Sequence, residues 1–180
     1  MKGIINKGIQ DLVEEQFGAD AWEKILEMAG CKELFFAISR DYPFESTINL
    51  VRAVSEYSGM PMEQVMEEYG RYIVPRTLKE NYPTYFTLCG NSSREFLLNM
   101  DRVHESVTRS IHGANPPRFD FDELPDGKIL MHYRSNRKLC DLLKGLIKGV
   151  GDCFGQELHV EETACMHRGD DRCTMEVTFP

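Results

Sequence analysis

The chain has 180 residues and a formal net charge of −8, from 21 Lys and Arg against 29 Asp and Glu. Its length predicts one compact domain, and the acidic balance without a basic block argues against electrostatic binding to nucleic acid or to a membrane. Hydrophobic residues at 42% exclude a disordered chain, and no apolar run reaches the roughly 18–20 residues that a membrane span needs.

The first residues and the cysteines point to a reducing compartment. The opening segment, Met1-Lys2-Gly3-Ile4-Ile5-Asn6-Lys7, interrupts its apolar residues at once and does not resemble a signal peptide, which predicts a cytoplasmic protein. In such a compartment the six cysteines are expected to be free thiols, metal ligands or redox groups, and a disulfide framework is not expected.

The part of the chain before Pro116-Pro117 has helical patterning. Apolar residues recur at helical spacing, and glycines follow several of the periodic segments as stop signals. Pro83 interrupts the pattern, so residues 78–88 are ambiguous. The predicted helices cover residues 4–17, 20–28 and 46–57, a fourth that begins at Pro61, and a long one from about 93 to Ile111 that Ser92 or Ser93 caps and Gly113 ends.

The part after Pro116-Pro117 alternates like strands around one more helix. Pro125-Asp126-Gly127 is a good turn sequence, and Arg168-Gly169-Asp170-Asp171 is expected at the tip of a hairpin. Strands are predicted over 119–121, 128–133, 157–164 and 172–179, and a helix over 137–154. Helices followed by ββαββ predict an α+β fold with an antiparallel sheet.

A histidine lies in the apolar stripe of the long predicted helix. At about 100° per residue, His104 falls on the same side as Phe96, Met100 and Val107, whereas Asp101 points elsewhere. Two interpretations remain open. His104 is a core histidine bonded to a carbonyl, or it is the proximal ligand of a haem, which needs one imidazole set in an apolar wall.

The segment Tyr133-x-Ser135-x-Arg137 is the second informative feature. Ser135 is expected to cap the following helix, which places the cation of Arg137 at the positive end of the helix dipole, where it is slightly unfavourable. A bound carboxylate or phosphate removes that conflict. The alternative is an ordinary cap beside a solvated arginine. Because a haem carries an iron and two propionates, one haem would account for His104 and for these three residues together.

With these features the sequence resembles the haem nitric oxide/oxygen-binding (H-NOX) family, which is related to the haem domain of soluble guanylate cyclase. The resemblance covers essentially the whole chain. It rests on Met1-Lys2-Gly3, on Met100-Asp101-Arg102-Val103-His104, on Pro116-Pro117 and on Tyr133-x-Ser135-x-Arg137.

The resemblance implies a haem between two subdomains, a distal helical one over about 1–60 and a second over 61–180 with the proximal helix and the sheet. It implies haem b with a five-coordinate ferrous iron on His104, with Met100 and Pro117 beside it; in the family, that proline presses on the haem and distorts it. The implied function is gas sensing without catalysis. In the family, nitric oxide weakens the iron–histidine bond, and the resemblance suggests a histidine kinase or a cyclic-di-nucleotide enzyme as the partner in trans.

The choice of gas depends on the distal pocket. Family members that hold oxygen stably place a tyrosine where this chain has Leu142. The other distal positions by resemblance are Ile5, Ile9, Ile73 and Leu146, all apolar. A pocket without a hydrogen-bond donor favours nitric oxide and carbon monoxide over oxygen, which carries partial negative charge when bound. The nearby Tyr69 and Tyr72 leave this expectation open.

A second metal site is predicted near the last hairpin. Cys165 and Cys173 flank its tip, and Cys140 begins the preceding helix, so the three thiolates are candidate ligands of a structural zinc ion. Some nitric-oxide-sensing family members have a similar hairpin with a histidine where this chain has Glu162. Glu162 and His167 therefore compete for the fourth position. Cys31, Cys89 and Cys153 have no partners by spacing and are expected to be buried small residues.

Three other functions compete with gas sensing. The main alternative is a thiol/zinc redox switch in which haem is structural or secondary. A haem enzyme such as a peroxidase would need distal acid–base residues, which the apolar candidates do not supply. A haem-free small-molecule-binding domain is the third.

Overall fold

The structure is a computed structural model that describes residues 1–109 and 115–180. Helices dominate the first range. They are α1 (Gly3–Phe17), α2 (Ala19–Met28), α3 (Phe44–Ser58), α4 (Met62–Ile73), a π-helical turn (Val74–Leu78), α5 (Lys79–Asn81), α6 (Pro83–Leu88), α7 (Ser93–Leu98) and α8 (Met100–Thr108). No helix in the described ranges is long and apolar enough to cross a membrane.

The second range forms an antiparallel sheet with one long helix. Its elements are β1 (Arg118–Glu123), β2 (Ile129–Arg134), α9 (Cys140–Cys153), β3 (His159–Ala164), a 3-10 turn (Met166–Arg168) and β4 (Cys173–Thr178). The strands lie in the order β1-β2-β4-β3, and every neighbouring pair is antiparallel. The predicted α+β class and the ββαββ order are therefore confirmed.

The helical part packs around the inner face of α1. Val13 on α1, Ile25 on α2 and Leu50 on α3 are fully buried, and removing such aliphatic side chains from water is the main stabilising contribution of this core. A buried hydrogen bond of 2.7 Å from the Thr47 hydroxyl to the Asn6 side-chain oxygen links α3 to α1. These contacts fix α1, which carries two of the predicted distal residues.

The two parts meet where α4 lies against α9. Three glycines at this contact let the backbones approach, because a Cβ on any of them would collide with main-chain atoms of the other helix. A Cβ on Gly149 would lie 2.6 Å from the Arg71 carbonyl oxygen, and one on Gly145 would lie 2.8 Å from the Arg71 nitrogen. Gly70 is blocked in the same way by the Leu142 carbonyl. The contact therefore requires glycine at positions where helix propensity disfavours it.

The prediction of one long helix from about 93 to Ile111 is wrong in one respect. The helix is interrupted at Asn99 and divides into α7 and α8. The Asn99 side-chain amide donates to the Glu95 carbonyl at 2.9 Å and to the Cys89 carbonyl at 3.3 Å, and such local bonds compete with the helical ladder. The expected end at Ile111 and Gly113 lies outside the described residues.

The helix predicted over 137–154 begins three residues later, at Cys140. Residues 135–138 form a turn, closed by the Lys138 amide donating to the Ser135 carbonyl at 3.1 Å. The prediction that Ser135 caps α9 and that Arg137 lies in its first turn is therefore wrong. The remaining helices and strands agree with the sequence prediction within a few residues at each end.

Gly145→Ala tests the helix contact. Helix propensity alone would raise the free energy of unfolding by about 1 kcal/mol, but the collision with α4 is expected to lower it by about 2 kcal/mol. Urea unfolding of the purified protein measures the difference. The control is Glu56→Ala, an exposed position inside α3, which should change stability by less than about 0.5 kcal/mol. A Gly145→Ala protein as stable as the unmodified chain would contradict the contact.

Candidate functional site

His104 presents one ring nitrogen to its own helix. Its Nδ1 lies 2.8 Å from the Met100 carbonyl oxygen, so Nδ1–H is the donor of that bond. Among the described residues Nε2 has no hydrogen-bond partner, and it therefore keeps a lone pair. Burial lowers the pKa of His104, which favours the neutral imidazole. A neutral imidazole whose second nitrogen is bonded to a carbonyl is the usual form of a metal-bound histidine.

The helix that carries His104 is attached to the first strand. One oxygen of Asp101 accepts from the Phe119 amide at 3.0 Å, and the other accepts from Arg118 at 2.8 Å. The Phe119 ring lies 5.2 Å from the His104 ring. Sequence analysis missed this role of Asp101. Its place one turn before His104 was the available signal, but its partners on β1 follow only from the tertiary fold.

Tyr133 lies near the end of β2, and Ser135 and Arg137 lie on the short turn that follows it. The Tyr133 hydroxyl accepts from the Leu139 amide at 3.3 Å, and the Ser135 hydroxyl accepts from the Arg137 amide at 3.2 Å. The Arg137 guanidinium donates to the Asn115 carbonyl at 3.0 Å. Burial raises the pKa of Tyr133, so its hydroxyl stays a neutral donor.

The three side chains can therefore still donate hydrogen bonds to an anion. The helix dipole does not add to this site as expected, because α9 begins only at Cys140. Two hydroxyl protons and a guanidinium fork suit carboxylates such as the propionates of a haem. Tyr133 is also close to the His104 region, since its ring lies 5.6 Å from the Phe119 ring. Pro117, which resemblance places beside the haem, is half-buried directly before β1.

The predicted distal residues lie on three helices that pack together. Ile9, Ile73 and Leu142 are buried, and Ile5 and Leu146 are half-buried. A Cβ on Gly8 would come 2.7 Å from Ile73, which shows how closely α1 approaches α4. All five side chains are aliphatic and offer no hydrogen-bond donor.

The two nearby tyrosines use their hydroxyl protons elsewhere. Tyr69 is buried, and its hydroxyl donates to the Ile5 carbonyl at 2.5 Å. The Tyr72 hydroxyl donates to a Glu15 carboxylate oxygen at 2.8 Å. Each phenol has a single proton to donate. Both protons are therefore committed to protein acceptors, and the alternative that either tyrosine serves as a distal donor loses its support.

The last hairpin and the start of α9 form a cluster of three buried thiols. The Cys165 sulfur lies 3.7 Å from the Cys140 sulfur and 3.9 Å from the Cys173 sulfur. Tetrahedral zinc with bonds of about 2.3 Å separates its sulfur ligands by about 3.8 Å. The Cys140 and Cys173 sulfurs are closer, at 2.7 Å. Burial raises the pKa of both of these thiols, so a cation is needed to hold them as thiolates.

Glu162 completes this cluster, and His167 does not. Ligand atoms of Glu162 and of the three cysteines all lie within 4.8 Å of one another. The Glu162 Oε1 atom is buried without a hydrogen-bond partner in the described ranges, whereas Oε2 contacts Arg168 at 3.1 Å. The His167 Nε2 atom instead lies 2.8 Å from the Lys138 carbonyl oxygen. His167 therefore lies outside this cluster in the structure, and its competition for the fourth ligand position stays a prediction.

The other three cysteines lie outside the cluster. Cys89 is buried, and Cys31 and Cys153 are half-buried. Burial raises the pKa of each thiol, which makes them weak nucleophiles at neutral pH. The expectation of a buried small residue is therefore confirmed for Cys89, whereas Cys31 and Cys153 are only half-buried.

Comparison with known proteins decides the family. The Haem-NO-binding family matches residues 2–162. The chain belongs to this family. Its domains are sensor modules and not enzymes, and they bind haem. Soluble guanylate cyclase gcy-32 of Caenorhabditis elegans is 30% identical over 83% of the chain, and gcy-35 is 27% identical over the same share. The chain spans 22% of the length of these two relatives.

Solved structures of H-NOX domains have the same fold. An oxygen-binding H-NOX domain in its oxygen complex is 30% identical with a TM-score of 0.84, over 99% of this chain and 95% of that one. An H-NOX protein from S. oneidensis in the Fe(II)NO state gives a TM-score of 0.91 at 24% identity, over 100% and 99%. Relatives of one fold thus include an oxygen binder, and the gas preference has to be argued from the residues of each chain.

Proposed function

We propose that this domain senses nitric oxide and carbon monoxide at a five-coordinate ferrous haem b that His104 holds. The observation that supports this most directly is the His104 geometry. Its Nδ1–H is bonded to the Met100 carbonyl, and the lone pair of Nε2 stays available. A core histidine without a ligand would be expected to use both ring nitrogens in hydrogen bonds. His104 is half-buried, and among the described residues only one of its ring nitrogens has a hydrogen-bond partner.

The chain's own residues would hold the cofactor in three ways. His104 would supply the protein ligand of the iron, and Tyr133, Ser135 and Arg137 would donate to the propionates. Pro117, which directly precedes β1, would contact the haem, as the resemblance implies. The bound haem supplies the iron that takes a diatomic gas. With His104 as its one protein ligand, that iron would keep a coordination position for a gas molecule.

The apolar distal side supports exclusion of oxygen. The predicted distal side chains on α1, α4 and α9 carry no hydrogen-bond donor; they are Ile5, Ile9, Ile73, Leu142 and Leu146. The hydroxyl protons of Tyr69 and Tyr72 are donated to other protein acceptors. A bound gas with negative charge would therefore face an apolar wall, where an unpaired charge is costly. Nitric oxide and carbon monoxide do not depend on such a donor.

His104→Ala tests the axial ligand. The ferrous protein is expected to lose its five-coordinate absorption spectrum, and added imidazole is expected to restore it by filling the space of the missing ring. Absorption spectra of purified ferrous protein, before and after addition of nitric oxide, provide the measurement. The control is His159→Ala, an exposed histidine on β3, which should leave the spectrum unchanged. An unchanged spectrum in His104→Ala would show that another residue binds the iron.

Leu142→Tyr tests the oxygen exclusion. The unmodified ferrous protein in air should form no stable oxygenated spectrum, and the new phenol should stabilise one by donating a hydrogen bond. Leu142→Phe is the matched control, because it adds the ring without the hydroxyl. Spectra recorded during exposure to air distinguish the three proteins. A stable oxygenated spectrum in the unmodified chain would refute selectivity for nitric oxide.

Signalling would begin at α8. Release of His104 would leave this helix attached to β1 through Asp101, so that α8 and the distal helices are free to shift relative to each other. This is a two-state element biased by a ligand. We propose that a histidine kinase or a cyclic-di-nucleotide enzyme reads the shift in trans. The cytoplasmic location, and the division into a distal part at about 1–60 and a second part at 61–180, stay predictions.

We further propose that Cys140, Cys165, Cys173 and Glu162 hold a structural zinc ion, as in a zinc-hairpin member of the family. The buried, unpaired Oε1 of Glu162 supports this, since a buried carboxylate oxygen without a partner is costly. Three thiolates and a carboxylate around zinc carry a net charge near −2. Lys144 and Arg168 contact Glu162 at 3.7 and 3.1 Å and offset that charge.

Glu162→Gln tests the fourth ligand. The unmodified protein is expected to bind about one zinc ion, and the amide should weaken binding at least about tenfold because it removes an anionic ligand. Competition with a chromophoric chelator measures the affinity. Glu161→Gln is the matched control, since Glu161 is exposed on the opposite face of β3. Equal affinities in all three proteins would exclude Glu162 as a ligand.

A thiol/zinc redox switch with haem in a structural or secondary role remains the second candidate. The clustering of three thiols within 3.9 Å supports it, because adjacent thiols oxidise readily once deprotonated. The two functions differ in one measurement. In the gas sensor, nitric oxide changes the activity of the partner while all thiols stay reduced, whereas in the redox switch only thiol oxidation does.

A further inference from the structure

The turn between β2 and α9 belongs to both candidate sites. Arg137, within this turn, belongs to the candidate anion site, and Cys140, the first residue of α9 after it, belongs to the thiol cluster. Between them the Leu139 amide donates to the Tyr133 hydroxyl at 3.3 Å. A change in the backbone of this turn would therefore displace groups of both sites at once.

Lys138 occupies the centre of this turn in an unfavourable conformation. Its φ of 49° lies in the left-handed region, and no other non-glycine residue of the described ranges has a positive φ. A side chain makes that region costly, so surrounding contacts have to maintain it. The Lys138 carbonyl oxygen faces two donors, His167 Nε2 at 2.8 Å and the Cys140 thiol at 3.7 Å.

His167 approaches this carbonyl from a rigid support. The 3-10 turn at the hairpin tip is closed by the Arg168 and Asp170 amides, which both donate to the Cys165 carbonyl. The Asp170 carboxylate in turn accepts from the Cys165 amide at 2.8 Å. A second link runs in the opposite direction, since the Lys138 ammonium lies 3.4 Å from the Met166 carbonyl oxygen. The tip and the turn thus hold each other from both sides.

We propose that His167 is a positioning residue that fixes the left-handed Lys138 and so sets Arg137 and Cys140 in their two sites. Because its acceptor is a carbonyl, Nε2 carries the proton and has no lone pair for a metal ion. The hairpin tip therefore governs how firmly the chain holds both haem and zinc. This inference rests on the proposed haem and zinc functions. Its experiments distinguish failure of the His167 proposal from failure to bind haem or zinc.

Three substitutions of His167 test the hydrogen bond. His167→Ala is expected to speed haem transfer to excess apomyoglobin and zinc transfer to a chromophoric chelator, each about fivefold, the worth of one hydrogen bond. His167→Gln places an amide donor at about the same reach and should restore both rates. His167→Asn is the matched control with a shorter side chain, and it should behave as the alanine variant does.

Combining His167→Ala with Lys138→Gly tests whether His167 acts by holding the left-handed backbone of residue 138. Glycine adopts a positive φ without cost, so the turn no longer needs His167 to hold it. In the Lys138→Gly protein, His167→Ala should therefore change both transfer rates by less than about twofold, against fivefold in the unmodified background. A histidine that only stabilised the hairpin would keep its full effect in both backgrounds.

Some outcomes would overturn the proposal. If His167→Gln releases zinc and haem as fast as His167→Ala, the hydrogen bond is not the cause. If Lys138→Gly leaves the effect of His167→Ala undiminished, the strained backbone is not what His167 holds. Failure of the unmodified chain to take up haem or zinc would instead refute the proposed function. In that case amide hydrogen exchange over 134–142 in the purified protein still tests His167. Exchange is expected to be faster in His167→Ala and His167→Asn than in the unmodified chain and in His167→Gln.

Discussion

The close approach of α4 and α9 is the constraint on which the rest of the structure depends. Gly70, Gly145 and Gly149 bring the two backbones within contact distance. This contact places Gly70 of α4 against the Leu142 carbonyl of α9, and so sets how closely these two helices approach. Because α9 also begins with Cys140, the same contact determines where the thiol cluster lies. The two candidate sites therefore share one rigid support.

The features that the sequence predicts well are those that depend on local spacing. His104 lies on an apolar helical face, and cysteines flank a hairpin, so periodicity and turn residues were enough to find them. Strand alternation likewise predicted the four strands and their hairpins. In these cases a residue's neighbours in sequence are also those that decide its environment.

The features that the sequence does not predict depend on tertiary hydrogen bonds. At the break, the Asn99 amide bonds the Glu95 carbonyl and also the Cys89 carbonyl, which lies outside the helix. The late start of α9 follows from the turn that Lys138 closes. The choice between Glu162 and His167 is of the same kind, because both lie near the cysteines in sequence. Only the strand register shows that Glu162 faces the cluster, opposite Met175, while His167 points to Lys138.

The break at Asn99 also determines how a small displacement at His104 would be converted into motion. It leaves α8 as a rod of nine residues, about 13 Å long, hinged at the end that Asp101 attaches to the sheet. A rotation of about 10° about that hinge moves the far end of such a rod by roughly 2 Å. An unbroken helix through α7 would have to carry its buried Phe96 and Leu97 along with it. The break at Asn99 therefore makes the histidine helix a short unit that can move without carrying buried side chains of α7 with it.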